Sequence, residues 1–157
     1  MTRAEQAVAA TVASLRETVF ELHPYVLEQA GLEVALRAVG ERAAERTGAA
    51  LRLDLRYPRR HRHEGVLFVA AREILANTIT YAAPSTIELG LRQEGRYLVL
   101  EISDDGHGFD VSTLDQRLAE GHIGLASQRV RIETIGGRFD VASEPGSGTR
   151  VEIRVPA

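Results

Sequence analysis

The sequence predicts an α+β domain in which helices cover one face of a mixed, hairpin-rich sheet. Segments with alternating apolar residues, typical of half-buried strands, come in pairs joined by short glycine turns. Segments with apolar residues every three or four positions, typical of amphipathic helices, stand between them. Because hairpins dominate and βαβ units do not, we expect a two-layer α/β sandwich with an N-terminal helical segment.

The elements follow from these patterns. Helices are predicted over residues 2–22, 32–47, about 65–82 and about 121–135. Pro24 should end or kink the first helix, because the residue before a proline avoids the helical region. The fourth helix has four candidates for its buried side: Leu125, Val130, Ile132 and Ile135. Strands are predicted over residues 50–57, 86–92, 97–103, 138–142 and 149–155.

The bulk composition limits the function classes. The chain has 157 residues, of which 44% are hydrophobic, and a net charge of −3, so it has enough apolar material for a core and no global charge for nucleic acid. It has no cysteine, which excludes disulfides and thiolate metal sites. No apolar run approaches the ~20 residues of a membrane span. We therefore expect a cytoplasmic location, with any membrane anchor in segments outside this chain.

Two acidic residues and two glycines follow the strand that begins near Tyr97. A carboxylate at a strand end points at something other than core, and a carboxylate can accept the exocyclic amine of adenine in an apolar pocket. Asp104, two residues before Gly106, is the predicted adenine reader, and Asp105 is expected to be replaceable. Gly106 and Gly108 let another group come close.

The third helix carries an acid and an amide one turn apart. Glu73 and Asn77 share a face by their spacing, on a helix that is apolar nearly all round. An exposed polar pair is the common alternative. The amide oxygen of Asn77 suits Mg²⁺, which takes oxygen ligands, and Glu73 is able to orient a metal-bound water or act as a base.

Two further glycine sites stand at element ends, at residues 121–124 and 146–148. Gly121 and Gly124 precede a helix, where free backbone N–H groups and the helix dipole suit a phosphate. The Walker pattern is absent, because the chain contains no lysine, and the dinucleotide fingerprint fails because no βαβ unit follows Gly106.

These sites stand in the order of the N box and glycine boxes of the Bergerat-fold (GHKL) ATPases, and the chain resembles that superfamily. Within it, residues 15–24 and 31–36 look like the sensor histidine kinases of the nitrate/nitrite-sensor and DesK-like class. The resemblance implies a catalytic ATP-binding region that uses ATP and Mg²⁺ and works within a homodimer. It also implies transfer of the γ-phosphoryl group to a histidine on the kinase's own dimerisation helix, for relay to a response regulator.

The resemblance also implies roles for individual residues. Asn77 would be the Mg²⁺ ligand and Glu73 the acid beside it, together the catalytic pair. The nucleotide-binding residues would be Asp104, Gly106, Gly108, Gly121, Gly124, Leu125 and Thr149, the last backing up Asp104. The family usually has a basic residue and then histidine after the N-box asparagine, where this chain has Thr80 and Tyr81. The phosphate-facing cation of the family is thus missing at these positions.

The division of the chain follows from the same resemblance. Residues 1–30 are expected to be the end of the dimerisation and phosphotransfer helices, and residues 31–157 the ATP-binding domain. No histidine is followed by aspartate, and only His63 is followed by glutamate, at a loop end. We therefore expect the phosphoacceptor to lie upstream of this chain.

Two alternatives stay open. One is an anti-sigma-type serine kinase of the same fold, which the helical segment before Pro24 disfavours. The other is a degenerate nucleotide-binding or structural dimer module, motivated by Thr80 and Tyr81.

Overall fold

The computed structural model describes residues 2–11, 24–56, 60–113 and 124–157. Within them, residues 3–11 are helical, which agrees with the start of the predicted first helix. The other residues of that predicted helix, residues 57–59 and the segment 114–123, which includes Gly121, lie outside the described residues.

Four α-helices follow this N-terminal segment in the described part of the chain and are labelled α1 to α4. They are α1 (Pro24–Ala30), α2 (Leu32–Thr47), α3 (Glu64–Asn77) and α4 (Gly124–Thr134). Helix α1 is absent from the prediction, which placed a break at Pro24. Proline starts a helix well, because the first helical N–H has no intrahelical partner to lose. Leu27 of α1 is buried in the same core as α2 and α3.

The end of α3 is not a simple α-helix. Residues Thr78–Ala82 form a π-helical turn, in which the Thr78 N–H approaches the carbonyls of both Ile74 and Leu75. Ala83 follows with φ 46° and ψ 56°, a left-handed conformation that costs an alanine energy. The predicted third helix is therefore confirmed in extent, and its last turn is wider than predicted.

Five strands form one sheet. They are β1 (Ala50–Leu55), β2 (Thr86–Glu94), β3 (Tyr97–Asp104), β4 (Arg138–Ser143) and β5 (Thr149–Pro156). Their order across the sheet is β1-β2-β3-β5-β4. β1 is parallel to β2, and the other pairs are antiparallel. The predicted α+β class and mixed, hairpin-rich sheet are confirmed, with each strand within two residues of its predicted ends.

Period-two alternation gives the sheet one apolar and one charged face. The apolar side chains pack against the helices in a single core, which includes Leu36, Leu89, Leu100 and Ile153. On the opposite, open face the register places four acids in one row across the sheet: Asp54, Glu101, Glu152 and Asp140. Arginines of the neighbouring rows pair with them, as Arg92 does with Glu101 and Arg154 with Glu152. The helices therefore cover only the apolar face.

No helix among the described residues is both long enough and apolar enough to cross a bilayer.

Two neighbouring residues of α2 test the assignment of the core. Leu36 is fully buried, whereas Val34 is 47% exposed. We expect Leu36→Ala to lower the free energy of unfolding by about 2–5 kcal/mol, because it leaves a cavity in the core. Val34→Ala, the matched control, should change it by no more than about 0.5 kcal/mol. Equal effects in urea unfolding would contradict this packing of α2.

Candidate nucleotide site

Asp104 ends β3 on the helix-facing side of the sheet and is half-buried. One carboxylate oxygen, Oδ1, accepts the backbone N–H of Gly106 at 2.9 Å. The other, Oδ2, lies 3.3 Å from the hydroxyl of Thr78, which donates to it, and the Thr149 N–H also bonds to this carboxylate. Burial raises the pKa of Asp104, and these hydrogen bonds oppose that shift only in part.

Thr78 brings the helix and the strand together. It is buried at the start of the π-helical turn, directly after Asn77, and its hydroxyl also lies 3.1 Å from the carbonyl of Ile74. Its contact with Asp104 fixes the end of α3 against the end of β3. The sequence pattern placed Thr78 on the apolar stripe, and nothing in that pattern indicated its partner.

Asp105 points away from this pocket and is exposed, yet it has partners of its own. Its Oδ1 accepts the backbone N–H groups of Ser85 at 2.7 Å and Thr86 at 2.8 Å. The Thr86 N–H bond is the main reason why the pKa of Asp105 is lowered. That Asp105 is replaceable stays a prediction, and the structure adds that removal of its carboxylate would free two backbone donors. Of the two acids, Asp104 is half-buried and Asp105 is exposed.

Gly106 and Gly108 allow two close approaches within the protein. A Cβ on Gly106 would collide with the backbone of Ala82, whose carbonyl accepts the His107 N–H at 2.7 Å. Gly108 has φ +63°, and a Cβ there would collide with the carbonyl of Glu144. Both glycines are needed to pack this loop, and their contact with a nucleotide stays a prediction.

Thr149 stands opposite Asp104 in the β3–β5 register. Its hydroxyl lies 2.9 Å from that of Ser143, which in turn accepts the Phe109 N–H at 2.9 Å. The Thr149 backbone N–H also bonds to the Asp104 carboxylate, and a role of Thr149 in nucleotide binding stays a prediction. Ser143 joins this network across the β4–β5 hairpin, and the sequence analysis missed it because a serine at a strand end carries no distinct signal.

Glu73 and Asn77 are half-buried on α3, one turn apart. Gly124, the first residue of α4, packs directly against the Glu73 carboxylate, so that a Cβ there would collide with it. The structure thus brings the acid of α3 to the N-terminus of α4, where a helix dipole favours negative charge. Leu125 is partly buried against the core.

The buried side of α4 differs in part from the prediction. Ile132 is buried and Ile135 packs partly against the core, but Val130 is 58% exposed. Gln128, one turn before Ile132, is buried in its place. The four predicted apolar positions do not all fit one face of a helix, and the helix turns its 128–132 stripe inward.

A cleft of about 450 Å³ lies beside Asp104, between the end of β3 and the β4–β5 turn. Asp104, Ser143, Gly148 and Thr149 line it together with Arg150, whose guanidinium is paired with Glu101 at 2.9 Å. Glu73, Asn77, Gly106, Gly108 and Gly124 are not among its lining residues. Asp104 and Thr149 are thus among the residues that line this cleft, whereas Glu73 and Asn77 of α3 are not.

Residues 63–157 match the family described as histidine kinase-, DNA gyrase B-, and HSP90-like ATPase. The chain is 38% identical over 142 residues to the sensor histidine kinase NarS of Mycobacterium tuberculosis, covering 90% of this chain and 33% of NarS. It is 36% identical over 93 residues to the sensor protein VraS of Staphylococcus aureus, covering 59% and 26% of the two chains. The chain thus spans about a third or less of these relatives.

A solved structure shares the fold. The histidine kinase domain of a blue-light activated histidine kinase from Erythrobacter litoralis superposes with a TM-score of 0.62 at 21% identity, covering 80% of this chain and 60% of that one. The predicted resemblance to the ATP-binding region of GHKL sensor histidine kinases is confirmed by these similarities. The chain belongs to the histidine kinase-, DNA gyrase B-, and HSP90-like ATPase family, which implies that it binds ATP.

Proposed function

We propose that this chain is the catalytic, ATP-binding region of a two-component sensor histidine kinase. It would hold ATP for transfer of the γ-phosphoryl group to a histidine on an upstream helix, within a homodimer, for relay to a response regulator. The observation that carries the proposal is the half-buried Asp104 carboxylate, held by Thr78 next to Asn77 and by Thr149. The similarity to NarS and VraS supports the kinase class.

The Asp104 carboxylate would bind the exocyclic amine of adenine. Its carboxylate offers acceptor oxygens in a half-buried setting, where water competes less for the exocyclic amine. Thr78 and the Gly106 N–H orient the carboxylate by donating to its two oxygens. An adenine amine is a neutral donor, so this site suits adenine better than a base that presents a carbonyl at the same position.

Asn77 would hold Mg²⁺ through its amide oxygen. Among the described residues, no group of three acidic or histidine side chains is placed to hold a metal ion. A single amide fits a Mg²⁺ ion that takes its other ligands from phosphate oxygens and water, as is common for this ion. When bound, Mg²⁺ would neutralise charge on the phosphates during transfer.

Glu73 and Gly124 would serve the phosphate end of the site. Glu73 lies one turn before Asn77, within reach of a water bound at that residue, and its carboxylate contacts Gly124. Gly124, with Gly121 before it, would present backbone N–H groups at the start of α4 to a phosphate. Leu125 would pack behind them, since it is partly buried against the core.

Residues 1–30 would form the end of a dimerisation region, and the ATP-binding domain would begin at residue 31. The protein would work in the cytoplasm, with any anchor outside this chain. The relatives named as sensor kinases favour this function over an anti-sigma-type serine kinase.

The variant Asp104→Asn tests whether the Asp104 carboxylate binds adenine. The new amide can still accept from the Gly106 N–H and can donate to Thr78, whose hydroxyl then donates to Ile74. The NH₂ group of the new amide would face the exocyclic amine of adenine, so that two donors would oppose each other. We therefore expect affinity for a non-hydrolysable ATP analogue to fall roughly 10- to 100-fold, equivalent to about 1.5–3 kcal/mol. Titration calorimetry measures this change. The apo melting temperature should hold or rise, because the buried charge is removed.

The matched control for this variant is Asp140→Asn, which removes an exposed carboxylate paired with Arg138 on the open face. It should bind the analogue as the unmodified chain does. Equal affinity of the Asp104 variant and the unmodified chain would refute the pocket assignment. No binding by the unmodified chain would favour the degenerate module.

Asn77→Ala tests the magnesium ligand. We expect the gain in ATP-analogue affinity on adding Mg²⁺ to fall by about tenfold, because one metal ligand is lost, while affinity for adenosine stays within about twofold. Titration calorimetry with and without Mg²⁺ measures both. A variant that keeps the full Mg²⁺ effect would show that the ion does not use Asn77.

A further inference from the structure

The turn between α3 and β2 is tied to the loop that follows β3. We define the 82–86 turn as residues Ala82–Thr86. Asp105 Oδ1 accepts two of its backbone N–H groups, from Ser85 at 2.7 Å and Thr86 at 2.8 Å. The return contacts are His107 N–H to the Ala82 carbonyl at 2.7 Å and Asp105 N–H to the Thr86 carbonyl at 3.4 Å.

The same turn contains an unfavourable backbone conformation. Ala83 has φ 46°, and it is the one described residue other than glycine with a positive φ. A left-handed alanine persists only where its surroundings over-determine it. The two bonds to Asp105 are made one and two residues after Pro84, and they hold the chain in this turn.

The end of α3 that precedes the turn carries the residues of the proposed nucleotide site. Ala82 ends the π-helical turn that starts at Thr78, next to Asn77. Gly106 is packed against Ala82 so tightly that no side chain fits between them. A shift of the turn would therefore move Thr78 and Asn77 relative to Asp104.

We propose that Asp105 is a positioning residue of the nucleotide site, whose carboxylate clamps the 82–86 turn and so fixes the end of α3 against Asp104. The proposal rests on the proposed function, since the affinity it controls is that for ATP. Asp105 itself points away from the pocket and would touch no nucleotide. The lowered pKa of its carboxyl agrees with the two bonds, because they favour the charged form.

Three variants distinguish the effect of the hydrogen bonds that Asp105 accepts from the effect of its negative charge. We expect Asp105→Ala to lower affinity for the ATP analogue about tenfold. Asp105→Asn, which keeps an Oδ1 acceptor but no charge, should stay within about threefold of the unmodified chain. Ala83→Gly should restore part of the loss when added to Asp105→Ala, because glycine adopts the left-handed conformation without the clamp.

The control is Asp110→Ala. Asp110 lies on the same loop, and its carboxylate accepts the Ser112 N–H at 3.0 Å, a local bond that spans two residues. This variant should keep the affinity of the unmodified chain. An Asp105→Ala variant with unchanged affinity, or an Asn variant as weak as the Ala variant, would overturn the proposal.

Amide hydrogen exchange gives a readout that needs no nucleotide. In Asp105→Ala the Ser85 and Thr86 amides should exchange at least about tenfold faster, while amides at the centre of β3 keep their rates. Unchanged exchange at both amides would overturn the clamp even if ATP binds. If the unmodified chain fails to bind ATP, the proposed function fails, and the exchange experiment still decides on the clamp.

Discussion

The contact between Thr78 and Asp104 is the constraint on which the site depends. It joins the end of a helix to the end of a strand, two elements that are 26 residues apart in the chain. Each element also packs into the apolar core, through Ile74 and Leu75 of α3 and through Leu100 and Ile102 of β3. The hydroxyl–carboxylate contact fixes Thr78, the residue directly after Asn77, relative to the Asp104 carboxylate.

Neighbouring carboxylates in this site have opposite electrostatic environments. Burial raises the pKa of Asp104 above its ordinary value of 3.8, so ionising it costs folding free energy, and its contribution to stability falls as pH rises from that value through the folded pKa. Hydrogen bonds from Thr86 and Ser85 lower the pKa of Asp105. Its contribution is present above 3.8 and is lost as pH falls through the lowered pKa.

Sequence patterns predicted what depends on periodicity, and they missed what depends on contacts between distant segments. Alternation placed all five strands, and by the same alternation residue 104 continues the inward face of Leu100 and Ile102. The π-helical turn, the clamp by Asp105 and the place of Ser143 arise from packing between segments far apart in the chain. Gln128 shows the same limit: an apolar pattern favoured Val130, while the orientation of α4 against α3 buries the amide.

The charge balance at the phosphate end follows from the helix that carries Asn77. Thr80 is neutral, and its hydroxyl donates to the carbonyl of Ala76. Tyr81 is 63% exposed, and its side chain carries no positive charge either. Arg150 beside the cleft is paired with Glu101, and Arg92 and Arg154 are paired across the open face. Among the described parts of the proposed site, Mg²⁺ at Asn77 and the N-terminus of α4 would both help to neutralise a triphosphate. Since Glu73 adds a negative charge against Gly124, that helix end alone is a weak anion site, and the metal would carry the larger share.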